Sequence, residues 1–419
     1  MTEQRTIGSG GGKKAVIAKH NAEKKYFYSN PDTTTWVLGQ TYKFSYKIDK
    51  QGRYPVLDDL KLRFKCKNSS ANDTYDYESM WHFIESMKIR LNGKECYTFK
   101  DNLTREAFAL RKLMMESKEA VQQREYVLTR GDGTGFHNSA AIAVSTTSEY
   151  YYVSFNDVCD IFHDLRLCPI REIDIEMTTV SGTATELFDY ISYDNSTGSE
   201  ALTSYFSLVN VDLMFEISYY NTPQIKVAEY MIPTVKYDKR DYSGTDLTTN
   251  YIRTASQSYT IDLSTGWHDV NNITKVHLYG RDASADNSHK QYLGLGVISR
   301  LDLKKAGKTE YQFFSQYHLL EHINDSRRAA LGKVHWLLPN DSWVSGEEIP
   351  FMTLDFTGRN RFLGDGIHAH EGINNKTVLN EIVLYNDALT DANMTRLAVI
   401  LESKHYIKIN VMTGRVTEA

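Results

Sequence analysis

The stretch "LKLRFKC", Leu60 to Cys66, alternates apolar and cationic residues with a period of two. Such a segment has one dry face and one wet face only when extended, because a helix would scatter the apolar set around its axis. The pattern recurs along the chain. "YKFSYKI" sets Tyr42, Phe44, Tyr46 and Ile48 on one side, and "EIDIEM" does the same with Ile173, Ile175 and Met177. "VDLMFEISY" places Val211, Leu213, Phe215, Ile217 and Tyr219 together. An aromatic content of 12 %, with 28 Tyr against 7 Pro, suits half-buried strands better than helical bundles. "RLNGKE" supplies a hairpin signal at Asn92-Gly93. The fold class expected is therefore all-β, built of antiparallel sandwiches with one wet face.

Two segments break the alternation. Residues 103–121 space Ala107, Leu110, Met114 and Val121 as a helix does, and residues 312–331 do likewise, with Gly332 placed to end the helix. Each is followed by a strand closing on Asn-Asp, at Asn156-Asp157 and Asn340-Asp341. Further near-repeats follow in the same order. "IRLNGKE" from Ile89 matches "VHLYGRD" from Val276, and "REIDIEM" matches "PFMTLDF" ending at Phe356. "LVNVDLMFEISYY" matches "RLAVILESKHYIKINV". At 419 residues the chain has room for two such units. The expected division is a basic Gly/Ser-containing arm over 1–25, a first β-domain over 26–222, and a second with a C-terminal tail over 223–419. The arm sets six cations (Arg5, Lys13, Lys14, Lys19, Lys24, Lys25) against Glu3 and Glu23. It reads either as a tail without structure or as a segment touching a neighbour, a lipid surface or packaged nucleic acid.

The net charge of −5 gives no basic field for coating nucleic acid, so no specific nucleic-acid readout is expected. Cys66, Cys96, Cys159 and Cys168 are scattered, which reads as reduced thiols rather than a zinc knuckle or disulfide scaffold. There is no N-terminal apolar h-region and no long apolar run, so a soluble protein made without a secretory signal is expected. "GSGGGKK" lacks both the spacing of a phosphate loop and a strand before it.

One motif argues for an enzyme. "HLLEH", His318 to His322, spells a zinc-peptidase pattern in which two imidazoles hold a metal and Glu321 activates water. At about 100° per residue, Phe313, Leu320, Ile323 and Leu331 share one arc of the helix while His318, His322 and Asp325 share the other. That is the wheel of an ordinary surface helix. Downstream, Glu371, Glu381 and Glu402 are the free candidates for a third ligand, and none sits on a second helix. His368 and His370, in the Gly-rich "LGDGIHAHEG", read as a loop tip. Asp157, Asp174 and Asp341 are set by the repeat rather than by convergence on a cleft. No catalytic, cofactor-binding or metal-ligating residue is assigned, and no cofactor is expected.

The layout resembles a known family. Two consecutive jelly rolls, each with an inserted helix, describe the double jelly-roll major capsid proteins of tailless icosahedral double-stranded DNA viruses, among them tectiviruses, corticoviruses, virophages, polinton-like viruses and adenovirus hexons. "YYYVSFNDVCDIFHDLRLCPIREIDIEM", "SLVNVDLMFEISYYNTPQ" and "DSRRAALGKVHWLLPND…PFMTLDF…LAVILESKHYIKIN" carry the resemblance, which spans most of residues 26–412. It implies a non-enzymatic subunit forming a pseudo-hexagonal homotrimer that tiles an icosahedral shell. Its partners would be neighbouring capsomers and penton or minor capsid proteins. The arm would meet an internal membrane or the inner capsid face. The long loops 122–149, 181–204, 281–310 and 358–376 would form exposed towers or inter-subunit locks. The alternative is a β-sandwich carbohydrate-binding or spike protein, motivated by aromatic-rich loops that include Trp267 and Trp343. A third reading is the metallohydrolase of His318, Glu321 and His322.

Overall fold

The computed structural model describes residues 5–7, 15–17, 23–69, 71, 74–77, 80–100, 103, 104, 107, 145–148, 150–159, 161–162, 165–180, 191–194, 206–223, 227–243, 257–265, 267, 272–282, 298–313, 352–356, 373–374, 380–386 and 394–418. Two short strands, β1 (Arg5–Ile7) and β2 (Ala15–Ile17), pair with each other near the N-terminus. The strands that follow are β3 (Glu23–Ser29), β4 (Thr41–Lys47), β5 (Tyr54–Asn68), β6 (Thr74–Tyr77), β7 (Ile84–Leu91) and β8 (Lys94–Phe99). After them come β9 (Tyr151–Ser154), β10 (Leu165–Arg166), β11 (Glu172–Thr179), β12 (Ile191–Asp194) and β13 (Phe206–Tyr220). One sheet runs β10-β5-β13-β3, with β9 also on β5; the other runs β4-β11-β7-β8.

The alternation seen in sequence sets the faces. Leu60, Leu62, Phe64 and Cys66 of β5 are all buried, as are Ile173, Ile175 and Met177 of β11. Both sheets contribute to one core, in which Tyr46 of β4 stacks on Phe215 of β13 with centroids 4.0 Å apart. Burying one side of each strand supplies the free energy that orders the other.

The chain then repeats the plan. It forms β14 (Glu229–Ser243), β15 (Gln257–Asp262), β16 (Asn272–Ile273), β17 (Lys275–Asp282), β18 (Ile298–Lys305) and β19 (Lys308–Phe313). It finishes with β20 (Met352–Asp355), β21 (Ile373–Asn374), β22 (Asn380–Asn386), β23 (Met394–Asn410) and β24 (Val416–Glu418). These make sheets β14-β23-β17-β20 and β15-β22-β18-β19 around a second core. Strand for strand, the order is that of the first sandwich, with β14 standing for β3, β23 for β13 and β17 for β5. Each pair of sheets follows jelly-roll connectivity, in which most successive strands cross between the two sheets while β7–β8 and β18–β19 stay in one sheet as hairpins.

The duplication is real, but two of the sequence matches were out of register. "IRLNGKE" covers the β7–β8 turn, whereas "VHLYGRD" lies inside β17, so its Gly280 marks no turn. The true counterpart of the β7–β8 turn is Ala306-Gly307, between β18 and β19. Likewise β11 corresponds to β22, not to the "PFMTLDF" of β20. The match between β13 and β23 holds.

Other expectations shift too. Gln312 and Phe313 complete β19 rather than opening a helix, and 314–331 lie outside the described residues. Of 103–121, only Leu103, Thr104 and Ala107 are described; all three are helical, and Leu103 and Ala107 are buried. The strand before Asn156-Asp157 ends at Ser154 and passes into a 3₁₀ turn over Phe155–Asp157. The supposed loop 281–310 contains β18, whose Leu301 and Leu303 are buried; two inward residues make too short a pattern to stand out. The loops 181–204 and 358–376 likewise hold β12 and β21.

The β7–β8 and β18–β19 hairpins both use a two-residue turn with positive φ throughout, at 52° and 76° for Asn92-Gly93 and 50° and 77° for Ala306-Gly307. Asn tolerates this left-handed geometry far better than Ala. Ala306→Asn should therefore raise stability by about 0.5–1 kcal/mol in urea unfolding; no change would mean the turn is not in this conformation in solution.

Candidate functional site at the seam between the sandwiches

The two sandwiches share a seam built from the end of the second. Strand β24 pairs with the far part of β23, setting Ile407 against Glu418 and Ile409 against Val416. The turn before it is tied by Asn410, whose Oδ1 accepts from the backbone N–H groups of Met412 at 3.1 Å and Thr413 at 2.9 Å. The turn lands on the first sandwich. Asn92 Nδ2 donates to the carbonyl of Gly414 at 2.6 Å and to that of Pro169 at 3.0 Å, while its Oδ1 accepts from Arg171 N at 2.6 Å. Gly414 has φ of +69°, and a Cβ there would lie 2.4 Å from the Pro169 carbonyl oxygen. Only glycine fits both demands.

Apolar contacts fill the rest. Phe99 of β8 stacks against Tyr237 of β14 at 6.4 Å, and the hydroxyl of the half-buried Tyr230 donates to the Arg166 carbonyl at 2.8 Å. Tyr237, Ala398, Ile400, Ile407, Ile409 and Val416 belong to the same continuous buried cluster as the first core. A narrow cleft remains where Lys94, Glu95 and Cys96 face Thr234, Lys236, His405 and β24. Burial pushes the Cys96 thiol up to about 11, so it stays protonated and unreactive at neutral pH. Glu418 pairs with Lys236 and with His405 Nδ1 at 3.1 Å. Burial alone would raise its carboxyl, and these cations bring it below the ordinary value.

A second charged group sits on the outer face of the β14-β23-β17-β20 sheet. Glu402 accepts from Lys275 Nζ at 3.1 Å and lies 3.3 Å from His277 Nε2, whose Nδ1 is 2.8 Å from Thr353 Oγ1. Burial works against ionising Glu402, but Lys275 and His277 reverse the effect and hold its carboxyl at about 2. Neither Asn92 nor Glu402 was identified from sequence as part of a seam. The signal for Glu402 was available: it is the ionisable residue that ends the apolar run "LAVIL".

The residues weighed earlier do not come together here. His318, Glu321, His322, Asp341, Trp343, His368 and His370 lie outside the described residues. Asp157 is buried in the turn after β9, in the sheet opposite the one that carries Asp174 on β11. Glu381 is on β22 and Glu402 on the outer face of β23. Trp267 is buried, and its Nε1 donates to the Asp262 carbonyl at 2.9 Å, so it is core rather than an exposed aromatic platform. All four cysteines are free thiols.

Neither a protein-family model nor a curated protein matches this sequence. Solved structures do match the fold. The chain superposes on PBCV-1 VP54, as fitted into a reconstruction of the virophage Sputnik, with a TM-score of 0.63 at 11 % identity, covering 97 % of this chain and 98 % of that one. The Faustovirus major capsid protein gives a TM-score of 0.55 at 10 % identity, covering 96 % and 92 %. The mavirus major capsid protein gives 0.54 at 10 % identity, covering 94 % and 90 %. The chain therefore has the double jelly-roll fold of these capsid proteins, over nearly its whole length. Identities this low show the fold alone.

Two predictions follow from the seam. Gly414→Ala should cost about 1–3 kcal/mol for the left-handed backbone plus the clash with Pro169. Gly93→Ala, where no atom lies within 4 Å of the added methyl, should cost only about 1–2 kcal/mol. Chemical denaturation of both variants, with hydrogen exchange read at Val416–Glu418, checks this; equal costs at the two sites would remove the clash from the account. For Glu402, a carboxyl held below its ordinary 4.5 stabilises the fold above that pH and loses the contribution as pH falls toward 2. Glu402→Gln should therefore lose on the order of 3 kcal/mol at pH 7, and the gap to the parent should close between pH 4.5 and 2. A gap independent of pH would show that shape, not charge, is what matters there.

Proposed function

We propose that this chain is a viral major capsid protein with no enzymatic role. The observation that carries the reading is the duplication itself: two jelly rolls of the same strand order, fixed side by side in one chain by a buried seam. A rigid subunit with two similar lobes lets three copies make a six-lobed, pseudo-hexagonal homotrimer that can tile an icosahedral shell around double-stranded DNA. The proposed division is an arm over 1–25, whose last three residues already open β3, a first jelly roll over 26–222 and a second over 223–419. The arm would meet an internal membrane or the inner capsid face. Neighbouring capsomers and penton or minor capsid proteins would complete the shell. The protein would be made in the host cytoplasm and reside in the virion. The likeness to the PBCV-1, Faustovirus and mavirus capsid proteins supports this reading, as does the loss of Trp267 as a glycan platform.

Sedimentation velocity of the purified full chain, with negative-stain imaging of the largest species, tests it. The expected result is a trimer of hexagonal outline; a chain that stays monomeric at every concentration would overturn the proposal.

A further inference from the structure

The chain holds one Asn-Gly pair, Asn92-Gly93, and it forms the turn between β7 and β8 that meets the second sandwich. Asn-Gly is the dipeptide most open to spontaneous deamidation, because glycine has no side chain to keep its backbone nitrogen from the neighbouring amide carbon. Gly93 is exposed, and no atom lies within 4 Å of the place its Cβ would take, so nothing around it obstructs the reaction.

The turn itself does not need the amide. Ala306-Gly307 makes the same left-handed turn in the second sandwich with a methyl in its place. What the amide serves is the seam. Its Nδ2 donates to the carbonyls of Gly414 at 2.6 Å and Pro169 at 3.0 Å. Its Oδ1 accepts from the backbone N–H groups of Arg171 at 2.6 Å and Glu172 at 3.3 Å. Both donors and both acceptors of the side chain are therefore used. Three of the partners belong to the first sandwich, and the β23–β24 turn brings the fourth. Gly414 packs directly on the amide, since a Cβ there would lie 3.0 Å from Asn92 Nδ2. Deamidation requires Asn92 Cγ to turn toward Gly93 N and its planar amide to become tetrahedral. Both movements pull Nδ2 and Oδ1 off these partners, so the docked turn opposes the reaction.

We propose that Asn92 is a deamidation site kept closed by the docked C-terminal turn, so that opening of the seam exposes it and the product prevents reclosure. Gly93 N attacks Asn92 Cγ, and the new C–N bond closes a succinimide. The Cγ–Nδ2 bond breaks, and Nδ2 leaves as ammonia with the proton from Gly93 N–H. Water then opens the ring at one of its two carbonyls, giving aspartate or isoaspartate. The aspartate carboxylate has no N–H to donate, and the carbonyls of Gly414 and Pro169 would face its charge. Isoaspartate adds a methylene to the backbone and breaks the geometry of the turn. Either product removes the anchor of the segment before β24. The inference stands apart from the capsid reading and concerns the seam of a single chain.

The test uses the full chain carrying Ala306→Asn, which sets a second Asn-Gly pair in the matching exposed turn of the second sandwich. Peptide mass spectrometry follows both sites in one sample during incubation at mildly alkaline pH. The second site should deamidate about tenfold or more faster than Asn92, the ratio reporting how seldom the seam opens. Gly414→Ala, whose methyl presses on the Asn92 amide, should bring the Asn92 rate up toward that of the second site. Asn92→Asp, which copies one product, should speed hydrogen exchange at Val416–Glu418. Equal rates at the two sites, or an Asn92 rate untouched by Gly414→Ala, overturn the protection. A faster reaction at Asn92 overturns it too, since the N–H groups of Arg171 and Glu172 would then be assisting the attack by stabilising charge on Oδ1. Unchanged exchange in Asn92→Asp overturns the block to reclosure.

Discussion

Between Leu397 and Leu401 strand β23 is buried on both of its faces. Leu397, Val399 and Leu401 point into the second core, while Ala398 and Ile400 point the other way, into the cluster shared with the first sandwich. A strand apolar on both sides cannot edge a two-layer sandwich in water, since leaving one side uncovered would expose several buried side chains at a cost of about 1.5–3 kcal/mol for each large one. The second jelly roll therefore requires the first beside it. Its counterpart β13 differs: Val211, Leu213, Phe215 and Ile217 face inward, while the outward row of Asp212, Met214, Glu216 and Ser218 has only Met214 as an apolar member. The asymmetry between two strands in the same topological position makes the pair of lobes a unit.

The charged residues follow from the same constraint. A glutamate on an outer face that becomes covered must have its charge answered, or the cover is lost to desolvation. Glu402 has Lys275 and His277 for this, and Glu216 has Lys61 and Lys24. The outer face of the first sandwich is thus neutralised in the same way as that of the second. The seam adds a backbone requirement of its own at Gly414, where neither a side chain nor a right-handed conformation is tolerated.

Much of the fold was legible in the sequence because alternation is a local property. Tyr42, Phe44, Leu60, Leu62, Ile173, Ile175, Leu213 and Phe215 are buried as the period of two requires. The existence of a duplication was legible as well, through β13 and β23. Its register was not, because short turn-like strings such as "LNGKE" and "LYGRD" look alike whether they end a strand or lie within one, as Gly280 does. The likeness of "KECYTF" to "KTEYQF" becomes meaningful only once both are known to follow a turn of positive φ and to close a sheet. The seam was beyond sequence reasoning for a simpler reason. Asn92 reads as a hairpin residue, and nothing local distinguishes an amide that serves its own turn from one that also holds a strand from the other end of the chain.

The bond from Asn92 to Gly414 joins residues 322 apart. Chains leave the ribosome at about 5–20 residues per second, so the Asn92 amide is made on the order of 15–60 s before the carbonyl it will hold. In that interval its geometry is kept by bonds to Pro169, Arg171 and Glu172, which arrive much earlier. The first jelly roll thus emerges with a finished receptor for a segment not yet synthesised. Tyr230 and Tyr237, from the first strand of the second jelly roll, are made long before Gly414, so the Asn92 bond is the part of the seam whose partner is synthesised last.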